Sequence, residues 1–232
     1  CGAGGSFLGR ACAVARRVGL SCLPTSVASA REARIVVAAD VRTGMPHAPA
    51  AGAKPLCFNL EGPFISPGRK GAQNPAFILT PDTVDLRDLS PLVEGLRVIT
   101  IAPETPGAQT LIEWFATRGV VVSLGHSAAS LDEARSGYGA GARSTTHVLN
   151  AMTGIEHHAP GLAVAALTDD RVYVELIADG SHVDAALWPP VLPAKPAHRL
   201  VLVTHAVPIP ATSPNTSPID ARQATARDRP AP

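Results

Sequence analysis

Short apolar runs recur along the chain, and seven strand candidates stand at 21–25, 56–60, 98–101, 120–124, 144–147, 172–177 and 200–204. Most are dominated by Val, Leu and Ile and have the length of strands buried on both faces of a parallel sheet. Between several of them the period changes. TLIEWFATR at 110–118 has apolar residues at helical spacing, and SLDEARSGY at 130–138 opens with Ser130 and carries Glu133 three residues on. That pair reads as an N-cap with a capping box. Strands alternating with helices predict a parallel sheet joined by βα connections. Seven strands is one short of a closed (β/α)8 barrel.

The polar positions sharpen this picture. Glu61, Glu104, His126, His147, Asp179 and His205 each stand at or just past the C-terminal end of a strand candidate. In a barrel those ends converge on one face, where such enzymes keep their active sites, whereas an open two-sided sheet would scatter them. The pattern therefore predicts an incomplete α/β TIM barrel over residues 1–206. The stretch 42–54 is a Pro/Gly/Ala-rich loop with no period. From 207 to 232 the pattern changes altogether: Pro208, Pro210, Pro214, Pro218, Pro230 and Pro232 lie among Ser, Thr, Asn and Arg. That segment is expected to be a disordered tail.

Composition narrows the class. Hydrophobic residues make up 46% of the 232, enough for a large core, and aromatics only 4%, so aliphatic side chains must fill it. A net charge of +1 without long runs of one sign gives no basis for a nucleic-acid or membrane surface held by charge. No run approaches the roughly 20 apolar residues of a membrane helix. Cys1, Cys12, Cys22 and Cys57 form no CxxC pair, which reads as reduced thiols in a cytoplasmic protein.

Five constellations carry candidate chemistry. In LEGPFISP (60–67), followed by Arg69-Lys70-Gly71, a carboxylate leaves a strand into a tight Gly-Pro turn; Glu61 is there either as a metal ligand or as the partner of Arg69 or Lys70. SLGHS (123–127) and TTHVLNAM (145–152) place His126 and His147 at equivalent points of consecutive strands. Two imidazoles and a carboxylate suit zinc or another divalent transition metal with a position open to water; structural strand-end side chains remain the alternative. ADGSHV (178–183) displays His182 after an Asp179-Gly180 turn, either as a surface residue or as a donor to a carbonyl or anionic oxygen. In LVLVTHA (200–206) a strand candidate ends in Thr204-His205; hydrolytic metal barrels commonly present an Asp at this point as general acid and base, and a strand-end His with no catalytic role is the alternative.

LEGPFISP with RKGA, SLGHS, THVLNAM and ELIADGSH, in this order, closely resemble the N-acetylglucosamine-6-phosphate deacetylases of the amidohydrolase superfamily, from about Gly4 to Ala206. The resemblance implies a metal-dependent hydrolase barrel with Glu61, His126 and His147 as ligands of zinc or iron. It implies substrate contacts from Asn150 and Ala151, and from His182 to the acetamide carbonyl. Gln73 stands where the family has His, His158 where an Arg often meets the phosphate, and His205 where the family has its catalytic Asp. The implied reaction is hydrolysis of the N-acetyl group of a small phosphosugar, in the cytoplasm, with homodimers open to intact members. Against this frame the chain is expected to lack the first barrel strand and the small β-domain. The abrupt change at His205 is expected from a reading-frame shift or gene decay. A barrel hydrolase of cyclic amides and a catalytically inactive fragment are the alternatives; LEGPF and the DGSH loop argue against the first.

Overall fold

In the computed structural model residues 22–28, 54–93 and 96–204 are described. The tail at 207–232 and His205 lie outside them. The described residues form one seven-stranded sheet, ordered as in the sequence: β1 (Cys22–Ala28), β2 (Lys54–Glu61), β3 (Leu96–Ile101), β4 (Val121–Leu124), β5 (Ser144–Thr145), β6 (Tyr173–Ile177) and β7 (Leu200–Val203). Every neighbouring pair is parallel. Helices α1 (Leu86–Val93), α2 (Ala108–Ala116), α3 (Leu131–Gly139), α4 (Leu162–Thr168) and the short α5 (Trp188–Val191) fill connections between strands. This is a partial (β/α) barrel. No described helix is long and apolar enough to cross a membrane.

All seven anticipated strands are present, with shifted ends. β2 starts at Lys54, inside the stretch read as loop, and β5 stops at Thr145, two residues short of His147. Helix α2 starts before Thr110 because Gly107, at φ 80°, turns the chain into it. Helix α3 begins as anticipated: the Ser130 side chain accepts from the Glu133 N–H, and the Glu133 carboxylate accepts from the Ser130 backbone. Helices α1, α4 and α5 carry weaker signals. Proline interrupts α1 and α5, and LAVAALT in α4 is apolar on almost every side, so no stripe stands out.

Alternation within the strands separates two environments. Ile99, Ile101, Val122, Leu124, Val174 and Leu176 join one buried cluster with Leu111, Ile112 and Phe115 of α2, Tyr138 of α3 and Leu162 of α4. Helix α2 buries Ala108, Leu111, Ile112 and Phe115, the i, i+3, i+4, i+7 stripe of a helix lying on a sheet. Gly137 lets α3 lie close, since a Cβ there would stand 2.9 Å from Pro103 and 3.0 Å from Leu124. The interleaved positions are polar. Thr100 and Thr146 share a 2.9 Å hydroxyl hydrogen bond, and Thr146 donates to Ser123 at 2.7 Å, all three buried. One sheet face is therefore an aliphatic core, and the other carries a satisfied hydroxyl ladder leading to the strand ends.

Candidate metal centre

Glu61 is the last residue of β2, His126 lies two residues beyond β4, and His147 two residues beyond β5. In a flat sheet, three spacings of about 4.8 Å would hold β2 and β5 roughly 14 Å apart. The ligand-type atoms of Glu61, His126 and His147 instead all lie within 4.8 Å of one another. The sheet must curl for these side chains to meet, as it does in a barrel.

The turns that aim them are unusual. His126 and His147 have φ of 46° and 29°, and Leu149 and Ala151 have 74° and 48°. Such non-glycine conformations cost on the order of 1–3 kcal/mol each and persist where the surroundings over-determine them. Here they do. The Ser66 N–H donates to the His126 carbonyl at 2.8 Å, and the Ser127 N–H to the Ala151 carbonyl at 3.0 Å. The Val148 N–H donates to the Glu175 carbonyl at 2.7 Å, while the His147 N–H reaches the Glu175 carboxylate at 3.4 Å.

All three side chains are buried, at 5%, 5% and 3% exposure for Glu61, His126 and His147. Glu61 Oε1 lies 2.6 Å from His126 Nε2 and 2.9 Å from His147 Nε2, and the two Nε2 atoms are 3.2 Å apart. His126 Nδ1 lies 2.9 Å from the Arg69 carbonyl oxygen. A carbonyl only accepts, so Nδ1 carries a proton. The Nε2 of a neutral His126 then points a lone pair at a carboxylate oxygen, and a positive centre, a proton or a metal ion, must sit between them. The edges of a tetrahedral zinc site with bonds of about 2.0–2.1 Å run to roughly 3.3 Å, so the donors need open by only tenths of an ångström to hold an ion.

The electrostatics agree. Burial works to raise the Glu61 carboxyl, yet hydrogen bonds from His126 and His147 and their charge hold it well below the usual carboxylate range. Burial opposes charge on His147, but the hydrogen bond and charge of Glu61 outweigh it and push its pKa up. The cluster favours an ionised carboxylate facing a cation.

The other anticipated residues fall into distinct places. The Gln73 side chain donates to the Glu61 carbonyl at 3.3 Å, beside the cluster. Asn150 donates to the His147 and Val148 carbonyls at 3.3 Å each. Ala151 is one of the left-handed residues. His158 is exposed and lies against His157, with ring centroids 4.0 Å apart. His182 Nδ1 pairs with the Asp179 carboxylate at 2.7 Å, and the same carboxylate accepts the His182 and Ser181 N–H groups at 2.8 Å. Burial would raise Asp179, but these bonds lower it to about 2. Glu104 does not join the cluster. It accepts from the Ser127 hydroxyl at 2.7 Å and the Ala128 N–H at 2.6 Å, bracing the loop that carries His126.

Two supporting groups escape sequence reasoning. The Arg69 carbonyl is one, because any residue supplies a carbonyl. Glu175 is the other, and it had a signal: a lone acidic residue inside the apolar run VELI. Burial raises its carboxyl.

No protein-family model matches the chain. The chain is 41% identical over 158 residues to an N-acetylgalactosamine-6-phosphate deacetylase of Escherichia coli O157:H7, covering 67% of this chain and 41% of that protein. It is 38% identical over 205 residues to the N-acetylglucosamine-6-phosphate deacetylase of Homo sapiens, covering 81% of this chain and 47% of that one. Among solved structures, it superposes with a TM-score of 0.74 at 35% identity on an N-acetyl-D-glucosamine-6-phosphate deacetylase variant from Mycobacterium smegmatis in complex with N-acetyl-D-glucosamine-6-phosphate, covering 85% of this chain and 51% of that one. The enzyme from Thermotoga maritima superposes with a TM-score of 0.74 at 29% identity, over 83% of this chain and 52% of that one. The chain spans about half the length of the relatives it matches. Over that half, the chain is similar in sequence and fold to the N-acetylglucosamine-6-phosphate deacetylases.

Proposed function

We propose that this chain carries the metal centre of an N-acetyl-hexosamine-6-phosphate deacetylase, hydrolysing N-acetylglucosamine 6-phosphate to glucosamine 6-phosphate and acetate. The observation that carries the reading is the meeting of Glu61, His126 and His147 at the strand ends of a parallel barrel sheet. These residues would hold zinc or iron; two imidazoles and one carboxylate suit either. When bound, the ion supplies Lewis acidity that activates water near neutral pH.

The residues around it do the rest. Glu61 offsets half of a divalent charge, and His126 and His147 supply neutral nitrogens. His182, its ring fixed by Asp179, meets the acetamide carbonyl oxygen. Gln73, Asn150, Ala151 and His158 hold the sugar phosphate. His205 takes the position of the family's Asp. An imidazolium beside a cationic ion is disfavoured, so proton delivery to the departing amine is the step most weakened in this chain. A soluble sugar phosphate as substrate fits a cytoplasmic setting.

The 41% identity to the galactosamine enzyme brings in the epimeric substrate, so the test carries both. Protein loaded with zinc or iron(II) is assayed for acetate release from N-acetylglucosamine 6-phosphate, N-acetylgalactosamine 6-phosphate and a cyclic amide. Acetate from a phosphosugar, no turnover of the cyclic amide and a faster rate in His205→Asp are expected. A metal-loaded protein and a metal-loaded His205→Asp variant that both release no acetate from either phosphosugar would overturn the reading.

A further inference from the structure

The residues after Glu61 fold back over the ligand cluster. The chain passes through a 3-10 turn at Pro67–Arg69 and returns beside His126. Four contacts tie this loop to two of the three ligands. The Ser66 N–H donates to the His126 carbonyl at 2.8 Å. His126 Nδ1 donates to the Arg69 carbonyl at 2.9 Å. Gln73 donates to the Glu61 carbonyl at 3.3 Å. Gly71, at φ 57°, lies so near the imidazole that a Cβ there would stand 3.1 Å from His126 Cε1 and 3.5 Å from Nδ1. The Arg69 side chain is exposed, so what that residue gives the site is its carbonyl.

We infer that the loop 66–73 is a positioning clamp on the metal centre, in which Gly71 is required because its missing side chain lets the Arg69 carbonyl and the His126 ring meet with Nε2 turned to the ion. The inference rests on the metal-centre reading. Partners in the layer behind a metal-bound histidine fix its tautomer and orientation, and their loss typically costs about 10–100-fold in metal affinity. A methyl at Gly71 pushes on the ring edge between Cε1 and Nδ1, and so on the hydrogen bond that sets the tautomer. Gly71 is a positioning residue, acting through His126.

Gly119 supplies a matched control. It also has a left-handed φ, 78°, but nothing lies within 4 Å of a Cβ placed there. Gly119→Ala therefore carries similar backbone strain with no contact at the site. The experiment measures zinc affinity by chelator competition and the visible spectrum of the cobalt-substituted protein for the whole chain and for Gly71→Ala, Gly119→Ala and Gln73→Ala. Gly71→Ala is expected to bind zinc at least about tenfold more weakly and to shift the cobalt bands; Gly119→Ala is expected to match the parent in both. Gln73→Ala, which adds no bulk, is expected to weaken zinc several-fold and keeps the test alive should Gly71→Ala not fold. Parent-like affinity and spectrum in Gly71→Ala, or in Gln73→Ala alone if Gly71→Ala does not fold, would overturn the clamp, as would an equal loss in Gly119→Ala. A parent chain that binds neither ion removes the metal centre and the clamp with it. A parent that binds metal but releases no acetate leaves the clamp standing and removes only the deacetylase reading.

Discussion

At the scale of single residues, the centre depends on small side chains as much as on its ligands. Gly125 joins the end of β4 to His126, and a Cβ there would lie 2.8 Å from Thr146 Cβ and 3.0 Å from Thr100 Cγ2. Gly125→Ala must push β4 away from its neighbours just where the hydroxyl ladder of Thr100, Thr146 and Ser123 binds them. We expect a loss of about 1–3 kcal/mol, the usual cost of overpacking, in urea unfolding. Because the displaced segment carries His126, zinc affinity should fall as well. Unchanged stability and affinity would show that the strand ends relax more easily than their contacts indicate. The sequence displayed Glu61, His126 and His147 because a carboxylate and two imidazoles at the ends of strand candidates stand out. It could not display Gly125 or the Arg69 carbonyl. Their roles are close approach and a backbone acceptor, and both depend on segments far away in the chain.

At the scale of elements, legibility followed the contrast between neighbouring positions. Helix α3 was readable from Ser130 and Glu133 because a capping box is a local device, and its bonds form as the spacing implies. Ser130→Ala should cost about 1 kcal/mol, measured by denaturant unfolding, with zinc affinity unchanged. A loss of metal binding in that variant would mean that α3 positions the His126 loop more tightly than its contacts imply. Helix α4 was not readable, since a helix buried on nearly all sides has no polar stripe to set its phase. The end of β5 was misplaced for a related reason. Thr146 and His147 look like further strand residues in sequence, yet the chain turns into the left-handed region at His147, held there by hydrogen bonds to Glu175 on the neighbouring strand.

At the scale of the whole molecule, the three ligand-type residues join strands that the chain order keeps apart. Glu61 is 65 residues from His126 and 86 from His147, and an ion held by all three would tie β2, β4 and β5 together across the curl of the sheet. Such a tie is made in the folded state and lost on unfolding, so the ion should stabilise the protein by linkage. With free zinc at about 100 times its dissociation constant the gain is about 2.7 kcal/mol. A domain of this size moves its Tm by about 2–4 °C per kcal/mol, so zinc should raise the melting temperature by roughly 5–11 °C, and a chelator should reverse the shift. Glu61→Gln keeps the shape of the side chain and removes its charge, leaving two neutral imidazoles to face a divalent ion, and should abolish most of the shift. In the metal-free protein the same substitution also removes the carboxylate that draws charge onto His147. The variant's own melting point therefore reports the Glu61–His147 pair, and only the zinc-dependent difference reports the tie between strands. A zinc-induced shift of equal size in Glu61→Gln would place the ion elsewhere in the molecule.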